Sequence, residues 1–210
     1  AAVLLQTRNL GSALRAATLF GVCLLLVVFV AYGDPAPWWL QQLQLVESTL
    51  EEAGVSLPAS LSDPGLQQEV AALLTGMVVA SLVMGVIASL LLARWWQSIL
   101  VHPGGFREEF YALRLGSVTG LVTLAVMVMA RLTQGTWSDF SAQLAMILLV
   151  PYLLVGLAII HSTLKQYSRG SGWLVAVYVL LAVFPQATLL LAAGGLMDTW
   201  IDFRRRLRRD

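Results

Sequence analysis

Apolar residues in this chain run in long, uninterrupted stretches broken by short polar segments. A bilayer core takes roughly 20 apolar residues as one helix. Four stretches meet that description: Ala16–Tyr32, Val70–Ala93, Leu115–Ala130 and Phe140–Ile160. Pro151 lies in the fourth and should kink it, because proline has no N–H for the helix ladder. A fifth stretch, Gly172–Met197, carries Phe184-Pro185-Gln186 near its middle, so it can be one long helix or two short ones.

Charge decides between those two, because Lys and Arg concentrate on the cytoplasmic side. With the first residues inside, Arg8, Arg15, Arg94, Arg107, Arg114, Lys165 and Arg169 are inside and Arg131 is outside. The segment Gly33–Glu69, with six acidic residues and no Lys or Arg, is then outside as well. One final span would put Arg204, Arg205, Arg206, Arg208 and Arg209 outside, a balance of 7 against 6. A turn at Pro185 returns them inside and makes the balance 12 against 1. Two spans, about Ser168–Phe184 and Gln186–Phe203, are therefore expected, with a kinked re-entrant segment as the alternative. The seven tryptophans fit: Trp38, Trp39, Trp95, Trp96, Trp137, Trp173 and Trp200 all fall near span ends, where indoles favour the membrane boundary.

Two shorter helices are expected beside the spans. In Trp38–Ala53, Trp39, Leu43, Val46 and Leu50 recur at helical spacing, with Gln42, Gln44, Glu47 and Ser48 between them. This describes an amphipathic helix on the outer leaflet, with Trp38 at its start and Gly54 as its stop. Asp63-Pro64 should open the next helix, Asp as cap and Pro in the first turn. On the inner side, Pro103-Gly104-Gly105 is a turn signal, followed by Phe106, Phe110 and Leu113 on one helix face. The fold class expected is all-α: a polytopic transmembrane helical bundle of about six spans, one domain over residues 1–210, with an outer amphipathic and an inner interfacial helix. The opening AAVLLQTR reads like the end of an apolar helix and predicts further helices ahead of it.

Composition agrees. Charged residues make up 12% of the chain, where soluble domains carry about 25%, and mean hydropathy is +0.78. The basic run at Arg204–Arg209 directly follows an apolar segment, so it suits anionic headgroups and topology, and nucleic-acid binding has no support. Cys23 stands alone in an apolar run, which excludes an intrachain disulfide and suits packing. His102 and His161 lack Cys or Asp at ligand spacing, so neither a metal nor another cofactor is expected.

The chemistry-bearing candidates are few. Phe106, Arg107, Glu108, Glu109, Phe110 and Arg114 form either an interfacial helix or a docking surface for a protein partner. Glu108 and Glu109 point about 100° apart on a helix, too far to share one substrate. Asp198 and Asp202 lie four apart on one face, and Asp198 falls near hydrocarbon depth, where an ionisable group is a functional candidate. Gly116/Gly120, Gly76/Ala80 and Ser81/Gly85 have the small-residue spacing that lets helices approach closely. The first five spans carry no ionisable residue at their centres, and no P-loop, GxSxG or HExxH motif occurs, which argues against an enzyme.

RWWQSILVHPGGFREEFYALRLG at Arg94–Gly116 and GGLMDTWIDFRRRL at Gly194–Leu207, with Gly33-Asp34-Pro35 and Trp38-Trp39, resemble the YybS-like family of uncharacterised bacterial inner-membrane proteins. The resemblance covers most of the chain. It implies a multi-pass protein of the bacterial inner membrane with a cytoplasmic C-terminus. It also implies a fold similar to the S components of energy-coupling-factor transporters and to MreD. Two functions follow as expectations. One is a non-catalytic scaffold or accessory subunit, with a protein partner in a membrane complex or a second copy of itself. The other is a substrate-binding subunit of the S-component kind. A scaffold should show a filled bundle and an exposed contact surface. A binding subunit should show a pocket lined by aromatic and polar side chains beneath the outer segment.

Overall fold

The fold is described from a computed structural model, over residues 10–55, 58, 62–166 and 172–203. Among the described residues all regular structure is helical. The helices are α1 (Leu10–Tyr32), α2 (Ala36–Glu52), α3 (Pro64–Val101), α4 (Gly105–Tyr111), α5 (Ser117–Leu132), α6 (Thr136–Gln166), α7 (Gly172–Val183) and α8 (Gln186–Ile201).

Length separates them. The helices α1, α3 and α6 have 23, 38 and 31 residues and are long and apolar enough to cross a membrane. At about 1.5 Å per residue they measure about 35, 57 and 46 Å, against a hydrocarbon core of about 30 Å. No more than 44% of the most apolar stretch of any of them is buried by protein, so the remainder needs lipid as its solvent. The helix α5 is apolar but has only 16 residues. The pair α7 and α8 have 12 and 16 residues and are bent by 119° at the break between them. Helix length therefore supports three crossings outright, and a fourth if the bent pair is one broken span. The six expected spans included the 16-residue run of α5 and the two halves of a proline-broken run, each shorter than the roughly 20 residues of a crossing. Left-handed Gly116 and Gly135, with φ of 90° and 61°, bracket α5. Pro185 stands at the start of α8, as the turn signal there predicts.

Local signals place the other ends. The Asp63 carboxylate accepts the Leu66 amide at 3.1 Å and caps α3. Asp34 accepts the Ala36 amide at 2.9 Å ahead of α2, and Gly54, with φ 76°, follows the end of α2. The helix α6 runs through Pro151 as one element.

The chain forms two compact units. One comprises the described parts of Ala1–Phe20, Val83–Leu124 and Leu148–Asp210; the other comprises those of Gly21–Leu82 and Ala125–Ile147. In the second unit α3 and α6 touch at Gly76, where an added Cβ would lie 2.6 Å from the Gln143 Cβ. Gln143 is buried there and donates from Nε2 to the Ala72 carbonyl at 2.7 Å. Phe29 meets Phe140 edge-on at 4.9 Å. In the first unit α6 and α8 meet backbone to backbone. A Cβ on Gly195 would collide with the Tyr152 carbonyl oxygen and lie 2.8 Å from the Gly156 nitrogen. One on Gly156 would collide with the Leu191 carbonyl. Gly120 lies against Thr199 and Trp200. Of the expected small-residue pairs, Gly76 and Gly120 make helix contacts, Gly116 serves a turn, and a Cβ on Gly85 would meet nothing within 4 Å.

These contacts predict a sharp contrast between neighbours. Gly195→Ala should lower stability by about 1–3 kcal/mol, because backbone atoms cannot move aside as a side chain can. Gly194→Ala, where an added Cβ meets nothing within 4 Å, should be neutral or stabilise by up to about 1 kcal/mol through helix propensity. Thermal unfolding of both variants in the same detergent checks this; equal midpoints would remove the close α6–α8 contact.

Candidate functional site

The clearest hollow lies in the second unit, beneath α2. That helix has no buried residue, so its apolar face alone does not hold it. Two polar clamps do. The Trp39 indole N–H donates to the Thr75 hydroxyl on α3 at 2.7 Å. Further along, Gln67 on α3 donates to the Glu47 carboxylate at 2.8 Å. Ser62 also hydrogen-bonds Glu47, and the two contacts, Ser62's the larger, hold this carboxyl below the usual carboxylate range. Trp39, Leu43 and Leu50 are half-buried, while Trp38, Leu45 and Val46 are exposed.

Between α2 and the helices below it is a cavity of about 520 Å³. Its walls are Leu24 and Val28 of α1 and Val78, Val79 and Leu82 of α3. Tyr32, Trp38 and Trp39 add aromatic rings, Thr75 a hydroxyl, and Asp34 is the one charged residue among the described lining. The volume falls in the range of about 300–1,000 Å³ usual for small-molecule sites. Such a surface can hold an apolar body with a polar end near Asp34. A second apolar hollow of about 430 Å³ is lined by Phe29, Trp137 and Phe140 among others. A polar cleft of about 800 Å³ gathers Asp34, Glu69, Asp139 and Arg131. No group of three His, Cys, Asp or Glu among the described residues could hold a metal ion.

The helix α4 belongs to the first unit, and most of its candidate docking residues contact their own chain. Arg94 of α3 grips Glu109 through both carboxylate oxygens, with Nε at 2.8 Å from Oε2, and also reaches Gln97. The buried Ser98 hydroxyl donates to the His102 carbonyl at 2.9 Å and accepts the Phe106 amide at 3.0 Å, which staples the Pro103–Gly105 turn. The Phe106 ring stacks on Phe110, Phe110 meets His161 edge-on, and His161 meets Tyr178. Lys165 lies over the Tyr111 ring at 5.3 Å. Arg114 pairs with Asp202. Arg107 and Glu108 are exposed.

Asp198 is 2% exposed and accepts the Phe203 amide at 2.9 Å. Asp202 adopts a left-handed φ of 51° at the end of α8. Arg204, Arg205, Arg206, Arg208 and Arg209 lie outside the described residues. Cys23 is exposed, as is His102, and His161 is half-buried with Nδ1 at 2.9 Å from the Leu157 carbonyl. Sequence reasoning missed Tyr152, which is 1% exposed and buries its hydroxyl without a partner. The only available signal was a tyrosine at the middle of an apolar run instead of its end.

No family model matches this chain, and no curated protein or solved structure matches it. The likeness to YybS-like proteins rests on the motif residues alone.

The clamps on α2 predict two effects. Trp39→Phe should cost about 1 kcal/mol, the usual net worth of such a bond. A double-mutant cycle with Thr75→Val in thermal unfolding should recover most of it as coupling; zero coupling would dissolve the clamp. The Glu47 contact should also be acid-labile. Its folded pKa is depressed, so its stabilisation is present above the ordinary carboxylate range and is lost as pH falls through the lower, folded value. Hydrogen exchange at α2 amides should rise over that acidic window, and Glu47→Gln should flatten the dependence.

Proposed function

We propose that the chain is a non-enzymatic, multi-pass membrane subunit that binds an apolar or amphiphilic molecule beneath α2. The supporting observation is the aromatic-rimmed cavity under a helix that two hydrogen-bonded clamps hold in place. Burial of an alkyl body there would contribute about 0.8 kcal/mol per CH₂ when the molecule comes from water. Asp34 and the Trp38–Trp39 pair would select its polar end. This is the behaviour expected of an S-component-like subunit, and it accommodates the lack of ionisable residues at the centres of the long helices.

In this reading the acidic, Arg-free segment carrying α2 faces outward in a bacterial inner membrane. The bent pair α7–α8 brings the C-terminus back to the cytoplasmic side. A re-entrant hairpin and two complete spans give the same charge balance, and the lengths of α7 and α8, 12 and 16 residues, favour the hairpin. Scaffolding through α4 is the second reading. Exposed Arg107 and Glu108 favour it, while the internal contacts of Phe106, Glu109, Phe110 and Arg114 leave it little free surface.

The test is purification of the whole protein from native membranes in mild detergent, with mass spectrometry of every retained small molecule and protein. The expected result is a retained apolar molecule, depleted by Val78→Trp, which fills the cavity, and kept by Arg107→Ala. A stoichiometric protein partner lost on Arg107→Ala/Glu108→Ala, with no small molecule retained, would replace this reading with the scaffold.

A further inference from the structure

Asp34 lines three hollows of the second unit at once. They are the aromatic-rimmed one beneath α2, the apolar one beside Phe29, Trp137 and Phe140, and the polar cleft. In the first two it is the one charged residue among the described lining. Two apolar spaces are therefore offered a single charge, and it is negative. Asp34 is exposed, so it stands at the lip of each space.

That carboxylate keeps an open side. Its Oδ1 accepts the Ala36 amide at 2.9 Å, which answers the positive end of the α2 dipole. The other oxygen remains, and an ionised carboxylate has about four acceptor positions in all. No described Lys or Arg pairs with Asp34, although Arg131 lines the polar cleft with it. Glu69 and Asp139 line the same cleft, so carboxylates outnumber that guanidinium. The last turn of α1, the negative end of its dipole, carries no basic residue. The negative charge at the lip is left uncompensated by the described chain.

The rings have the same polarity. Trp38 and Trp39 meet edge to face, with 4.7 Å between centroids and 74° between planes, so they present π faces in two directions. The bond from Trp39 to Thr75 holds one of them in place. An aromatic face attracts a cation, and desolvation strengthens the attraction. A small inorganic cation would gain nothing from the apolar walls. An anion would meet Asp34 and the ring faces. We propose that the hollow beneath α2 selects an organic cation, an alkylammonium with its apolar body in the hollow and its charged head between Asp34 and the Trp38–Trp39 pair. This rests on the proposed binding of an amphiphile there and adds the sign of its charge.

The test is calorimetric titration of the whole protein in dodecyl maltoside, near neutral pH, with octylammonium, octanol or octanoate. These probes share a chain length and differ in charge. Val78→Trp, which fills the hollow, gives the background from partition into the micelle. Above that background the wild type should bind octylammonium about tenfold more tightly than octanol, as one cation–π contact with a charge-assisted hydrogen bond would give, and octanoate least. Asp34→Asn keeps an acceptor for the Ala36 amide and should bring octylammonium close to octanol. Trp38→Leu should weaken octylammonium and leave octanol as it was. With the preference in place, phosphatidylethanolamine added to the same micelles identifies the source: competition assigns a membrane aminolipid, and no competition assigns a free single-chain amine. Equal binding of octylammonium and octanol, or a preference that survives Asp34→Asn, would overturn the charge selection and leave the hollow as an apolar site. No probe binding above the Val78→Trp background would overturn the site beneath α2 as well.

Discussion

Hydrocarbon offers no hydrogen bonds, so every polar group at that depth must find its partner inside the protein. The described chain meets this with helices, and its hydroxyls follow the same rule. Thr18 donates back to the Leu14 carbonyl, Ser89 to Gly85, Thr119 to Leu115 and Thr123 to Thr119. The scattered Ser and Thr of the apolar runs are therefore mostly consumed within their own turns and are not available for chemistry. Against this background the exceptions stand out. Thr75 takes the indole proton of Trp39 from another helix, and Gln143 bonds the backbone of α3. The Tyr152 hydroxyl bonds nothing.

Helix association follows from the same solvent. Lipid tails are as apolar as leucine, so burial of a leucine against another helix gains little, and close van der Waals contact has to supply the attraction. Glycine gives that contact at Gly76 in one unit and at Gly156 and Gly195 in the other. The close approach of α6 and α8 in turn places Tyr152 and Asp198 along one cavity. The packing contact and the cavity thus share Tyr152, whose carbonyl faces Gly195 and which also lines the cavity.

Much of the secondary structure was legible in the pattern of residues. The cores of α1, α3 and α6 were plain as charge-free runs, and Gly54, Asp63-Pro64, Gly104 and Pro185 marked boundaries of α2, α3, α4 and α8 because each acts through its own backbone or cap. Span number was less legible, because hydropathy marks apolar runs without fixing helix length: α5, α7 and α8 have 16, 12 and 16 residues, each short of the roughly 20 that cross a bilayer core. The helix α2 was found from its spacing, but its attachment to Thr75 and Gln67 was not, since both partners lie in another helix. For the same reason α4 looked like a free surface until Arg94, Ser98 and His161 came against it. Tyr152 had only its place in mid-run as a signal, and the Gly156–Gly195 contact had none, because it is defined by a pair of positions distant in the chain.

The bent pair has a consequence for how the protein is made. At about 18 and 24 Å, neither α7 nor α8 reaches across a hydrocarbon core of about 30 Å. A segment too short to partition on its own must enter the membrane against a surface already there. The glycine slot that α8 fills is formed by α6, which leaves the ribosome first. As the proposed re-entrant hairpin, the pair would therefore enter after α6, a guest whose residence in the bilayer depends on a seat its host has already made.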